Sequence, residues 1–284
     1  VNKLLLALSL GFASLPTSVF AGPSEEMTEI RGDKPVVLRA DRAYFLFRSE
    51  SGVSPVFLRI PTEAEMRAYD AAKREAFAKA EPEMTKRRES MIAAGKDGKT
   101  IPPVPTLENF NFVWDGVQNA QTVNMGRALE KTGKVKTLLI EALPGNYVIY
   151  GLGYGNIFQT CFCLGSVSFP AKPGEIADLG TLLVSSASAQ SDEPELKAET
   201  GFGPSMNGHL VTWAAAIRPA TPSTPAPVML AGKPIARAGY RAVGKFVAGF
   251  SFAINRLAPI PGVLGYDRGN VLDLIENRIA PNQY

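Results

Sequence analysis

The 284 residues contain one histidine and two cysteines. Most His/Cys metal sites need more such ligands than this chain carries, so neither a metal nor a cofactor is expected. Charge of one sign is equally scarce. Thirty basic residues against 27 acidic ones leave a net charge of +3, which gives no electrostatic case for a nucleic-acid binder. Long apolar runs are missing too. After the opening residues no stretch reaches the roughly 18 consecutive apolar residues of a membrane helix, so no transmembrane helix is expected in the mature chain. Glycine (26) and proline (22) are plentiful, and 45% of residues are hydrophobic. That composition suits a packed, turn-rich and strand-rich body better than a helix bundle.

The chain opens Val1-Asn2-Lys3 and runs apolar from Leu4 to Phe12, and Val19-Phe20-Ala21 offers a V-x-A cleavage site. A basic start, a short apolar run and such an end are the parts of a secretory signal peptide. The expectation is a leader over residues 1–21 and a mature chain in the periplasm or outside a bacterial cell. The alternative is a buried N-terminal helix.

Residues 22–184 read as an antiparallel β-sandwich. Val36–Leu38, Ala43–Arg48 and Val56–Ile60 are β-rich runs, with Ser51-Gly52 suited to a hairpin between the last two. A charged helical insertion over 62–94 follows. Thr62 and Glu65 fit a capping box, and Met66, Tyr69, Lys73 and Phe77 fall at helical spacing, a thin seam broken by a lysine. Pro82 is expected to interrupt it, with a second helical stretch reaching about Ala94. The insertion is either a solvated surface element or an arm that docks a partner. Strand texture resumes at Phe110–Trp114, Val135–Ile140 and Tyr147–Tyr150, then over Phe158–Phe169 as a strand pair or a strand bent near Gly165, and at Ile176–Val184. Residues 185–227 read as a Ser/Ala-rich and then Pro-rich linker, with one strand fitting His209–Ile217. Residues 228–284 read as a β-containing extension that adds strands to the body or packs on it, with Phe246, Phe250 and Phe252 on one strand face and a short helix near Val271–Ile279.

Leu143-Pro144-Gly145-Asn146-Tyr147-Val148 resembles the PG-x-Y turn and strand of transthyretin-like and carboxypeptidase-regulatory-like β-sandwiches, and the tyrosine corner of Greek-key sandwiches. The order of this strand and a later Pro173-Gly174-Glu175…Leu179-Gly180 turn is similar to proteobacterial envelope proteins of unknown function. The resemblance covers about residues 143–184. Ala142 stands in the slot where the strict pattern has leucine. The resemblance implies a mainly-β sandwich in which the Tyr147 hydroxyl folds back onto nearby backbone. It implies no activity.

Cys161 and Cys163 are the sharpest polar feature. At i and i+2 of a strand both side chains point to one face. They form either a disulfide, favoured in an oxidising compartment, or a pair of buried inert thiols. Gly151, Gly153 and Gly155 lack phosphate-loop spacing and no helix follows them, so they read as glycines that let a strand bend. Gly249-Phe250-Ser251-Phe252-Ala253 is similar to a nucleophile elbow, but His209 precedes the serine where hydrolase order needs it after. His209 alone builds no metal site. From Val228 to Tyr284 there are seven basic and three acidic residues. Arg237, Arg241, Lys245 and Arg256 are therefore candidate contacts for an anionic polymer. The expected function is a secreted, non-catalytic module that binds a protein partner or an envelope polymer. The rivals are a thiol–disulfide protein using Cys161 and Cys163, and a hydrolase using two carboxylates that the sequence does not single out.

Overall fold

A computed structural model describes residues 27–95, 100–114, 119–154, 158–186, 191–197, 213–247 and 253–282. The proposed leader, His209 and the segment 249–252 lie outside the described residues, as does Gly155. The strands in the body are β1 (Thr28–Ile30), β2 (Ala43–Ser49), β3 (Ser54–Arg59), β4 (Ala120–Thr122), β5 (Glu130–Thr132), β6 (Val135–Ala142), β7 (Gly145–Tyr154), β8 (Phe158–Cys161), β9 (Ser166–Ala171) and β10 (Ile176–Ser186). They continue as β11 (Trp213–Arg218), β12 (Ile235–Arg237), β13 (Arg241–Val243), β14 (Ala253–Ile254), β15 (Leu264–Asp267), β16 (Asn270–Asp273) and β17 (Arg278–Ile279). A long helix, α1 (Glu63–Ala93), separates β3 from β4, and a single-turn helix, α2 (Pro194–Lys197), precedes β11.

The fold is mainly β with a helical insertion. One sheet has the order β1-β6-β2-β10-β11, with β5 on β6 and β12 on β10. The other has the order β13-β9-β7-β3-β4, with β8 on β7 and β14 on β8. Strand periodicity places Phe45 and Phe47 of β2, Leu138 and Ile140 of β6, and Leu182 of β10 on one inner face. They meet Phe57 of β3, Tyr147 and Ile149 of β7 and Phe169 of β9 in a single buried cluster. The Phe45 ring lies 4.6 Å from Tyr147 and 5.1 Å from Phe169, both edge-on. The alternate residues Tyr44, Leu46, Leu139 and Ile176 form a second cluster with Val36, Leu129 and Leu230 on the outer face of the first sheet. That is why Ala43–Phe47 is an unbroken apolar run: β2 is covered on both faces.

Pairing departs from the expected antiparallel pattern at β2–β10, β10–β12 and β8–β14, which are parallel. The cause is the connections. The chain passes from one sheet to the other between β2 and β3, between β6 and β7, and between β9 and β10. Ser51-Gly52 therefore sits in an arch between sheets rather than in a hairpin. The Pro144-Gly145 and Pro173-Gly174 turns are also crossings between sheets. Val36–Leu38 is not a strand; Val36 instead covers Tyr44 and Leu46 from outside.

The segment expected as a linker contributes β11, which pairs with β10 over six residues from Thr181↔Arg218 to Ser186↔Trp213. Arg218 also holds Glu193 (2.6 Å) and Glu195 (2.7 Å) beside α2, and the Arg48 guanidinium donates to the Pro225 carbonyl at 2.9 Å. The extension after Val228 is built into the body: β12 joins the first sheet, and β13 and β14 join the second. Leu257, Ile260, Leu264, Val271 and Ala280 belong to the main core. Where a helix was expected, β16 and β17 form a meander with β15. The reason is the two-residue Arg268-Gly269 turn, both residues at positive φ (46° and 80°), which closes a tight hairpin from Asp267 to Asn270.

Candidate functional site

The most prominent feature outside the sandwich is the arm inserted between β3 and β4. These strands pair antiparallel, with Leu58 opposite Ala120, so everything between them is a hairpin loop expanded into an arm. Thr62 caps α1: its hydroxyl accepts from the Glu65 amide at 3.2 Å, while the Glu65 carboxylate accepts from the Thr62 amide at 2.7 Å. The same carboxylate takes Arg59, a buried cation at the end of β3, at 2.5 Å. The Arg59 hydrogen bond, helped by the Thr62 donors and opposed by partial burial, lowers the Glu65 pKa to about 2. The aliphatic stem of Arg59 in turn passes 3.5 Å from where a side chain at Gly145 would begin. The arm root and the Pro144-Gly145 corner are thus locked to one guanidinium.

From this root α1 runs unbroken through Pro82 for 31 residues, about 46 Å at 1.5 Å per residue. The expected break at Pro82 does not occur. Proline removes one backbone donor, but this stretch is exposed, and water can hydrate the carbonyl freed one turn earlier. Among the described residues, none in α1 is buried. What orders the helix is its own returning chain. Tyr69 packs against Phe112 and Trp114, with ring centroids 5.5 and 5.8 Å apart, and Phe77 against Phe110 at 5.6 Å. Farther out, Arg88 Nε donates to the Pro102 carbonyl at 3.1 Å. The expected strand at Phe110–Trp114 is extended chain laid antiparallel on the helix. Lys73, the break in the apolar seam, lies within electrostatic reach of Glu108 on that chain. Met66, Ile92, Val104 and Val113 remain exposed.

The predicted corner is formed as a local lock. The Tyr147 hydroxyl donates to the Leu143 carbonyl at 2.7 Å, closing the crossing from β6 to β7. Cys161 and Cys163 are joined as a disulfide, with Cα atoms 5.2 Å apart. Phe162 between them points into the main core, and both cysteines lie on the opposite face with Val56, Tyr150 and Phe246. Their relative exposures are 1% and 3%, which shields both sulfurs from a solvent thiolate while the segment is closed. At Gly151 the strand β7 continues past a register shift opposite Val56 and Phe57, so this glycine serves strand geometry.

The structure does not gather the four basic candidates into one free patch. Arg241 is 3.4 Å from Glu276. The Arg256 guanidinium lies 4.2 Å from the centre of the Tyr266 ring. Arg237 and Lys245 are exposed. At the centre of the core, the void among Phe47, Phe57, Ile149 and Leu182 has a volume of 10 Å³, too small for a ligand. Among the described residues no group of three or more His, Cys, Asp or Glu side chains is placed to hold a metal ion, and no helix is long and apolar enough to cross a membrane. Sequence reading missed the aromatic return of the arm as a unit with α1. Its signal was the period-2 spacing of Phe110, Phe112 and Trp114 beside the seam residues Tyr69 and Phe77.

Compared with protein-family models, curated proteins and solved structures, the chain matches none. Fold and site together describe a mainly-β sandwich protein bearing a helical arm.

Proposed function

We propose that this protein is a non-catalytic β-sandwich module, periplasmic or extracellular, that presents its arm to a partner protein. The observation that carries the reading is that α1 runs for 31 residues without burying one of them, yet is capped at its root and held straight by its own return chain. An element that adds nothing to the main core, and is nevertheless stiffened by aromatic pairs, suits contact at a distance from the body. The leader expected over residues 1–21 supports the compartment. Burial of the disulfide weighs against thiol–disulfide exchange as the activity, and the engagement of Arg241 and Arg256 weighs against a polymer contact through the tail.

The test is site-specific photocrosslinking in the native cell. A photoreactive residue at Arg74 or Lys79, both exposed on α1, should give one discrete adduct of a partner protein. The same residue at Val37 on the sandwich should not. Adducts of equal yield at both places, or none at the arm, would rule the reading out.

A further inference from the structure

The two cysteines face the C-terminal segment. Residues 161–165 span the end of β8 and the turn to β9, and their backbone accepts or donates four hydrogen bonds to that segment. The Asn255 amide donates to the Cys161 carbonyl at 2.8 Å, and the Phe246 amide to the Cys163 carbonyl at 3.0 Å. The Leu164 amide donates to the Asn255 carbonyl at 3.0 Å, and the Leu257 amide to the Gly165 carbonyl at 2.9 Å. Side chains reinforce this. Phe246 packs on Tyr150 with ring centroids 5.3 Å apart, covering the disulfide. Asn255, buried, reaches on to the Trp213 carbonyl at 2.8 Å. A side chain at Gly165 would strike Tyr266 and Val271 of the C-terminal meander, at 2.6 and 3.0 Å.

Two of the four carbonyl and amide contacts therefore go to the two cysteines themselves. A ring closed across one intervening residue constrains little of an unfolded chain, because the loop it closes is so short. Its effect is local: it fixes the directions of the carbonyls at 161 and 163. Opened, those residues border Gly165, which has no Cβ to restrict the backbone once its contacts are released. We propose that the Cys161–Cys163 disulfide is a redox clasp that fastens residues 244–247 and 253–282 to the sandwich, and that its reduction by a dithiol loosens their attachment at Phe246, Asn255 and Leu257. In the step, a thiolate of the dithiol attacks one cystine sulfur and expels the other as thiolate. The second dithiol sulfur then displaces the first cysteine. Two electrons and two protons pass to the protein, which ends with two thiols, and the dithiol ends as a cyclic disulfide. Because both sulfurs are covered, reduction waits on opening of the Phe246 side of the clasp.

The test uses the full chain and does not involve the arm, so its outcome is independent of partner binding. Amide exchange is compared for the oxidised protein, the protein reduced with dithiothreitol, and the C161A/C163A double variant. Reduction should speed exchange at Leu164, Phe246, Asn255 and Leu257 by at least about tenfold while β2 and β6 amides keep their protection. Trypsin should cut after Lys245 faster by a similar factor. Unchanged exchange at those four amides overturns the proposal, and so does a loss of protection spread through both sheets. If the double variant fails to fold, the reduced native protein still decides between these outcomes.

Discussion

Arg59 links three elements: the end of a core strand, the cap of the arm helix and the distant Pro144-Gly145 corner. The Glu65 carboxyl ionises more readily in the folded protein than its ordinary value of 4.5, so the pairing contributes its full stability above that pH. The contribution is lost as pH falls from about 4.5 toward about 2. Amide protection at Glu65 and Met66 should decline over that window, and Glu65→Gln should remove the pH dependence and cost roughly 1 kcal/mol locally. Tyr147 offers a second test. Tyr147→Phe keeps the ring against Phe45 but deletes the donor to Leu143, for an expected loss of about 1 kcal/mol in chemical denaturation. The capping box and the tyrosine corner were readable from the sequence, because each is encoded within five residues: Thr62 to Glu65, and Leu143 to Tyr147. The placement of the cysteines on one face was readable for the same reason.

At the scale of the element, legibility depended on what the periodicity was packed against. Phe110, Phe112 and Trp114 do share a face, as their alternation demands, but the surface they meet is a stretch of two to three turns of α1 rather than a sheet. Spacing reports which side of a segment is buried and is silent on its partner. The same limit turned the β16–β17 meander into an expected helix, since nothing in Val271–Ile279 alone outweighs the Arg268-Gly269 turn before it. Pro82 gives the clearest element-scale prediction. Pro82→Ala restores the missing donor within a helix that already runs straight through, and should raise the local stability of α1 by up to about 3 kcal/mol, read by amide exchange between Ala76 and Lys86. Because β3 and β4 are neighbours, replacing residues 61–118 with Asn-Gly should leave a folded sandwich whose melting temperature lies within a few degrees of the parent.

For the whole molecule, the part of the fold that escaped the sequence is the part made by distant pairings. Residues 185–227 look like a linker because they are rich in Ser, Ala and Pro, yet β11 completes a sheet, and Ala258 donates to Ala215 along its outer side at 2.9 Å. No local signal specifies that register. The C-terminal residues Leu257, Ile260, Leu264 and Val271 are as much core as Phe45. Truncation after Gly244 should therefore expose the end of the core and yield protein that binds a hydrophobic dye and melts at a lower temperature, whereas a cut confined to the arm should do neither.

The parallel pairing of β2 with β10 joins Tyr44 to Ile176 and Arg48 to Thr181, more than 130 residues apart. The central strand of the first sheet thus has an empty flank until most of the chain has left the ribosome. Closing so large a loop precedes any reward from the pairing, which makes nucleation slow. Refolding should accordingly take milliseconds to seconds or longer and resist acceleration by stabilising the arm. A chain that is slow to commit to its native sheet stays threadable for longer, which is the property a polypeptide needs if it is to pass a membrane before it folds.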